Sequence, residues 1–342
     1  NFSLFQKKFL NQPTITEFTK VDLTGGQEIE GAKMQILDQD GKVVEEWVSK
    51  KEPHVVYALE PGEYVLHEEQ APTEQGYVRA EDVKFVVEET GDVQKVKMED
   101  DHTKVSISKT DITDGKEIEG AKLQILDQDG EVVESWTTGE EHLIEYLPVG
   151  TYTLHEEAAV DGYIVANDVE FTVEETGEIQ KVKMEDERAM GQLVIVKTDT
   201  DSKAALEGVE FVLMEKETGK EVERLKTGKD GKAVSSLLPI GTYENGVFKE
   251  PITYVLKETV ALEGYEKTEE EWEIVFSYQN DKTPVIEVVK EIQNKKIPET
   301  PGNVKPGPKT GDDTNWFLPL LALGVSAGMV AGLLYYRKRH RK

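Results

Sequence analysis

The sequence predicts an all-β chain of tandem β-sandwiches, followed by a Pro/Gly linker and one C-terminal transmembrane helix. Three observations predict it: long internal repeats, period-two alternation inside each repeat, and an uncharged stretch near the C-terminus. EIEGAKMQILDQDGKVVEEW from Glu28 returns as EIEGAKLQILDQDGEVVESW from Glu117, and Lys20 and Lys109 lie 89 residues apart. YVLHEE at Tyr64 returns as YTLHEE at Tyr152, and VEETGDVQKVKMED from Val87 as VEETGEIQKVKMED from Val173. A third, more divergent copy begins at Gly191, with VIVKTD at Val194, LEGVEFVLME at Leu206, LPIGTY at Leu238 and YVLKETVALEGY at Tyr254. Repeats of this length exceed a solenoid unit and describe a string of separate domains.

Within each copy, alternating runs such as VKFVVEE and VEFTVEE are punctuated by turn pairs including Asp40-Gly41, Pro61-Gly62, Asp129-Gly130 and Asp230-Gly231. About seven strands per copy suit a sandwich. Residues 14–101, 102–187 and 188–296 are read as sandwiches one to three, and 1–13 as the end of an upstream segment. The joins at 101–104 and 187–191 are short and leave neighbours little freedom. Residues 297–315, rich in Pro and Gly, cannot pack a core and form a linker. Residues 316–336 are 21 uncharged residues, enough to span a bilayer, and 337–342 form a basic tail held on the cytoplasmic side.

Composition removes several function classes. With 40 Lys and Arg against 68 Asp and Glu the formal net charge is -28, which repels nucleic acid. There is no cysteine, so disulfides, thiolate nucleophiles and Cys-ligated metals are excluded together. No cofactor or metal site is expected: the LDQDG segments at Leu37 and Leu126 lack an EF-hand glutamate in register and read as hairpin turns. His67 and His155 alternate to the outer face, and Trp47 and Trp136 occupy equivalent packing positions.

Side chains two apart on a strand share a face. Phe18 is therefore grouped with Lys20, Val105 and Ile107 with Lys109, and Leu193 and Ile195 with Lys197, so each copy turns a lysine toward its core. By the same alternation Glu68, Glu156 and Glu258 point inward, as do Asp100, Asp186 and Asn294 in the last strand of each copy. Buried charge is costly, so three matching sets need a reason. A buried ion pair is one, and a last residue already outside the sheet is another. The third is chemical: burial lowers a lysine pKa and raises that of a glutamate, giving the uncharged amine and carboxylic acid that acyl transfer needs.

At these residues the copies resemble the CnaB-type, or SpaA-like, prealbumin-like (inverse Ig-like) domains of Gram-positive adhesins and pili, over nearly all of 14–296. YVLHEEQAPTEQGY at Tyr64 resembles the pilin E-box, with Glu68 as its glutamate, and VKMED resembles a strand that supplies a reactive Asp. The resemblance implies isopeptide bonds Lys20 to Asp100, Lys109 to Asp186 and Lys197 to Asn294, assisted by Glu68, Glu156 and Glu258. Motif, span and basic tail resemble the cell-wall sorting signal of Gram-positive surface proteins, carried by Pro308, Lys309, Thr310 and Gly311, with Gly307 where the family has Leu. That resemblance implies cleavage after Thr310 by a sortase, covalent transfer of Thr310 to peptidoglycan, and membrane contact only before sorting. A second candidate, Ile297 to Thr300, is followed by Pro301 rather than Gly.

The reading that follows is a wall-anchored stalk or adhesin with no enzymatic activity beyond its own bond formation. It displays an upstream region that binds a host or matrix ligand. A minor pilin, at the tip or base, and the stalk of a wall-anchored enzyme remain alternatives. No Tyr-Pro-Lys-Asn-like motif of polymerising shaft subunits is found.

Overall fold

The computed structural model describes residues 13–298. The sorting residues Pro308, Lys309, Thr310 and Gly311, the 316–336 span and the 337–342 tail lie outside them, as does 1–12. Among the described residues no helix is long and apolar enough to cross a membrane. The one helical element there is a 3-10 turn at Thr73–Gln75.

The repeat is visible as a repeated pair of four-stranded sheets. In the first copy Ile15–Asp22 lies between His54–Tyr57 and Val93–His102, with Tyr77–Val78 beyond. The facing sheet runs Val43–Val48, Lys33–Leu37, Gly62–Gln70, Val83–Val87. The second copy repeats both orders with Lys104–Asp111 and Ile179–Arg188 at the centre of one sheet and Lys122–Leu126 and Gly150–Ala158 at the centre of the other. The third pairs Met190–Asp199 with Val285–Asn294 and packs a sheet centred on Glu210–Glu215 and Thr253–Val260.

The alternation that organises these sheets is clearest in Met190–Asp199, where every second residue is buried. Phe18, Met34, Ile36, Leu66 and Met98 fill the first core; Ile107, Leu123, Ile125, Leu154 and Met184 fill the second. Trp47 packs on Phe18 at 5.5 Å between ring centroids and stacks on His54, while Trp136 stacks on His142. Asp38 and Asp127 close their hairpins as N–H acceptors for Asp40 and Lys42 and for Asp129 and Glu131, so LDQDG folds as a turn.

In every copy the first and last strands run parallel and side by side. The register is conserved: Lys20 pairs with Met98, Lys109 with Met184 and Lys197 with Ile292. Asp100, Asp186 and Asn294 are two residues further along the same face, about 6.6 Å at a strand rise of roughly 3.3 Å. A lysine side chain spans that offset along the strand.

One element has no counterpart in the other copies. The third contains an extra hairpin, Gly241–Glu244 with Val247–Pro251, turning at Asn245 and Gly246, both at positive φ. It separates LPIGTY from the strand that carries Glu258, so Tyr254 rather than Tyr243 occupies the place of Tyr152. The phenol shows this: Tyr254 donates to Pro239 O as Tyr152 donates to Pro148 O.

Candidate functional site

The three lysines are at most 4 % exposed, and the three glutamates and three acyl residues at most 3 %. Lys20, Lys109 and Lys197 each hold Nζ 2.9 Å from Oε2 of Glu68, Glu156 and Glu258. Each Nζ also donates to an Oδ1, that of Asp100, Asp186 or Asn294 respectively. Lysine and acyl residue come from neighbouring strands of one sheet, and glutamate comes across the core from the other. The sequence-level sets therefore meet as three separate triads.

Backbone contacts that no side-chain pattern announces fix the geometry. Ala80 and Ala166 donate their N–H groups to Glu68 Oε2 and Glu156 Oε2 at 2.7 and 2.6 Å. Glu28 and Glu117 accept the backbone N–H groups of Lys20 and Lys109, each at 3.1 Å. In the third copy the amide itself holds the acid: Asn294 Nδ2 donates to Glu258 Oε1 at 2.7 Å.

Burial dominates the electrostatics. It pushes the Asp100 carboxyl up to about 7, with Lys20 opposing and the Glu68 carboxylate adding to the rise. Asp186 is pushed up to about 7 in the same way, with Lys109 opposing and Glu156 adding. Burial also lowers the Lys197 ammonium against the pull of Glu258. Glu68 Oε1 and Asp100 Oδ2 are buried with no protein partner, and so are Glu156 Oε1 and Asp186 Oδ2. In these two triads, a single proton shared between the two carboxyls partners both oxygens. Such a site presents an amine, an acid and an acyl carbon together in a water-poor core, which suits condensation.

A model of the SpaA prealbumin-like fold domain matches residues 14–102, 103–188 and 191–251. The chain belongs to the SpaA family. Among solved structures it is similar to the Bacillus anthracis TIE protein, at 28% identity and a TM-score of 0.56 over 83% of this chain and 51% of that one. It thus spans about half the length of that relative. It is also similar to BcpA, the major pilin subunit of Bacillus cereus, at 16% identity and a TM-score of 0.47, covering 83% of this chain and 99% of that one. The shaft pilin spaA from Lactobacillus rhamnosus GG is similar at 15% identity and a TM-score of 0.24, over 58% and 99%. No curated protein matches the sequence.

The three SpaA copies also meet through tyrosines that the sequence reading did not single out. Single residues, Thr103 and Ala189, separate the last strand of one copy from the first of the next, and both are fully buried. At the first junction Tyr146 of the second copy stacks on His102 at 3.9 Å, meets Tyr77 edge-on at 5.6 Å and donates to Asp22 Oδ2 at 2.8 Å. At the second junction Tyr243 lies under Arg188 at 4.1 Å and meets Tyr163 edge-on at 5.2 Å. Tyr77 and Tyr163 belong to the Gly-Tyr pairs that close each E-box-like segment, and His102 and Arg188 each follow the acyl residue by two. Burial opposes ionisation of Asp22, but hydrogen bonds from Gly25, Tyr146 and Thr24 outweigh it and hold the carboxyl near about 2. Tyr146 tolerates its φ of 62° in this role, whereas the equivalent position of the first copy is Ala58, with a φ of 60°.

Proposed function

We propose that this SpaA-family chain is a cell-surface stalk of a Gram-positive bacterium, locked by three intramolecular isopeptide bonds and anchored to peptidoglycan by a sortase through Thr310. It carries an upstream adhesive region away from the wall. The observation behind the covalent reading is the buried Lys-Glu-acyl triad, repeated in each copy and joining its first strand to its last.

In the first two copies the uncharged Nζ attacks Cγ of the protonated Asp. A C–N bond forms, the C–OH bond breaks, and the glutamate carries the amine proton to the departing hydroxyl, which leaves as water. In the third copy Lys197 attacks Asn294, Glu258 carries the proton to the amide nitrogen, and ammonia leaves. Nothing outside the chain is consumed.

The two acyl types make different demands on pH. An Asp with a pKa of about 7 loses its reactive acid form above that value, while an Asn has no proton to lose. Chain recovered unlinked from inclusion bodies and refolded between about pH 6 and 9 is expected to close all three bonds at the acid end. Closure at Asp100 and Asp186, relative to Asn294, is expected to fall about tenfold per pH unit above the pKa. Peptide mapping of quenched samples reads the ratio, and a constant ratio would refute the protonated-Asp step.

Anchoring rests on Pro308, Lys309, Thr310 and Gly311 preceding an apolar span and a basic tail. Thr310→Ala in the producing cell is expected to move nearly all of the chain from the muramidase-released wall fraction to membrane and medium. An unchanged wall fraction would remove the sortase from the account. A minor pilin is the second reading, favoured by the SpaA match of all three copies. A high-molecular-weight ladder in wall extracts would establish it in place of the monomeric stalk.

A further inference from the structure

The reactive end of a triad is also the end on which the next copy docks. Asp22 is the register partner of Asp100, Asp111 of Asp186 and Asp199 of Asn294, each two residues beyond the lysine. The residue after each of these aspartates donates its N–H to the backbone carbonyl of the acyl residue: Leu23 to Asp100 at 2.9 Å, Ile112 to Asp186 at 3.1 Å and Thr200 to Asn294 at 3.0 Å. At the first junction Tyr146 of the second copy donates to Asp22 and packs on Tyr77, and a Cβ at Gly76 would lie 2.3 Å from the Tyr146 carbonyl oxygen. At the second junction the third copy provides the cover. A Cβ at Gly162 would lie 2.7 Å from the Phe248 ring and 2.9 Å from the Tyr243 hydroxyl, and Tyr278 donates to Tyr163 O at 2.9 Å.

The third copy has the same end without the cover. A Cβ at Gly264, the equivalent of Gly76 and Gly162, would meet nothing within 4 Å among the described residues, and Tyr265 is half-buried where Tyr77 and Tyr163 are buried. The two covered copies carry Asp as the acyl residue and the uncovered one carries Asn. The charged and titratable groups facing Asp100 are Lys20, Glu68, Asp22 and Tyr77, with His102 two residues further along the strand. Those facing Asp186 are Lys109, Glu156, Asp111 and Tyr278, with Arg188 two residues further along. Burial pushes the Tyr77 phenol up to about 12, with Asp22, Tyr146 and Asp100 adding to the rise. It pushes Tyr278, which belongs to the third copy, up to about 12 as well, and there Asp281, Asp161 and the second copy's Asp186 and Glu156 add to it.

The difference in cover matches a difference in chemistry. An Asp must be protonated before an amine can displace its hydroxyl, and water at the strand end favours the ion. Burial is the largest cause of the rise at both Asp100 and Asp186. An amide has no ionised form to suppress. We propose that the downstream copy is part of each upstream reaction site, its tyrosines keeping water from the strand ends where Asp100 and Asp186 react, and that Asn294 lets the uncovered third copy close without such help. Tyr146 and Tyr278 are then positioning residues for bonds in a neighbouring copy. This inference rests on the isopeptide reading and is independent of anchoring.

Peptide mapping of the full chain, refolded unlinked across a range of pH, gives closure at each pair, with Lys197 to Asn294 as the internal clock. Tyr146→Ala is expected to move the falling limb of Lys20 to Asp100 closure toward acid by at least about one pH unit, a tenfold loss above the limb, and to leave the Lys109 to Asp186 limb in place. That second bond also reports that the substituted copy has folded, and Ala58 already holds the equivalent positive-φ position in the first copy. Tyr278→Ala is expected to do the converse, moving the Lys109 to Asp186 limb and leaving the other two pairs unchanged. Tyr146→Phe, which keeps the ring over Tyr77 and His102, is expected to keep the limb. Limbs that stay in place in both alanine variants would overturn the proposal, as would movement of both Asp limbs by either one. An unsubstituted chain that closes no bond would remove the isopeptide reading itself, and this proposal with it.

Discussion

Glu156→Gln is expected to leave Lys109 and Asp186 unjoined while the other two copies close, and to lower the unfolding midpoint of the second copy by about 15–30 °C. The substitution keeps the shape of the side chain and removes its charge and its ability to carry a proton. A cross-link closing the 77-residue separation between Lys109 and Asp186 constrains the unfolded chain, and by analogy with a disulfide over such a loop it is worth about 4 kcal/mol. One kcal/mol moves the midpoint of a domain this size by about 4–8 °C. The lysine and aspartate still pair after substitution, so the loss is that of the bond and not of two orphaned charges. Calorimetry of the full chain reads the shift; a linked Glu156→Gln chain, or an unlinked one with an unchanged midpoint, would remove the glutamate or the bond from the account.

The mechanical effect is larger still. First and last strands lie side by side and parallel, so the proposed Lys109–Asp186 bond would take tension entering at Lys109 directly to the last strand and bypass the rest of the sandwich. Pulled from its ends, the linked chain is expected to show no unfolding step from any closed copy. The Glu156→Gln chain is expected to release one step of about 250 Å, the extended length of 77 residues at roughly 3.3–3.6 Å each. Equal extension of the two chains would mean that force does not travel through this pair.

Much of this was legible in sequence because strand alternation carries burial directly. Lys20, Lys109 and Lys197 share a face with core residues, and the triads follow from one face per strand. The parallel register is not written in either strand alone; it arises because the first strand pairs with the last, a contact about 80 residues distant in sequence. Ala80 and Ala166 act through backbone N–H groups, so their side chains gave no signal. The hairpin of the third copy gave no separate signal because LPIGTY imitates LPVGTY at Leu147, although its tyrosine, Tyr243, belongs to the junction. A sharper signal was available in spacing: Pro148 and Tyr152 are four residues apart, while Pro239 and Tyr254 are fifteen apart.

The central claim is covalent, and mass reads it directly. The intact mass of the purified full chain, followed by peptide mapping, is expected to fall short of the sequence mass by two waters and one ammonia. Branched peptides are expected to join Lys20 to Asp100, Lys109 to Asp186 and Lys197 to Asn294. A mass equal to that of the sequence would contradict the claim and leave three buried ion-paired or hydrogen-bonded triads in its place.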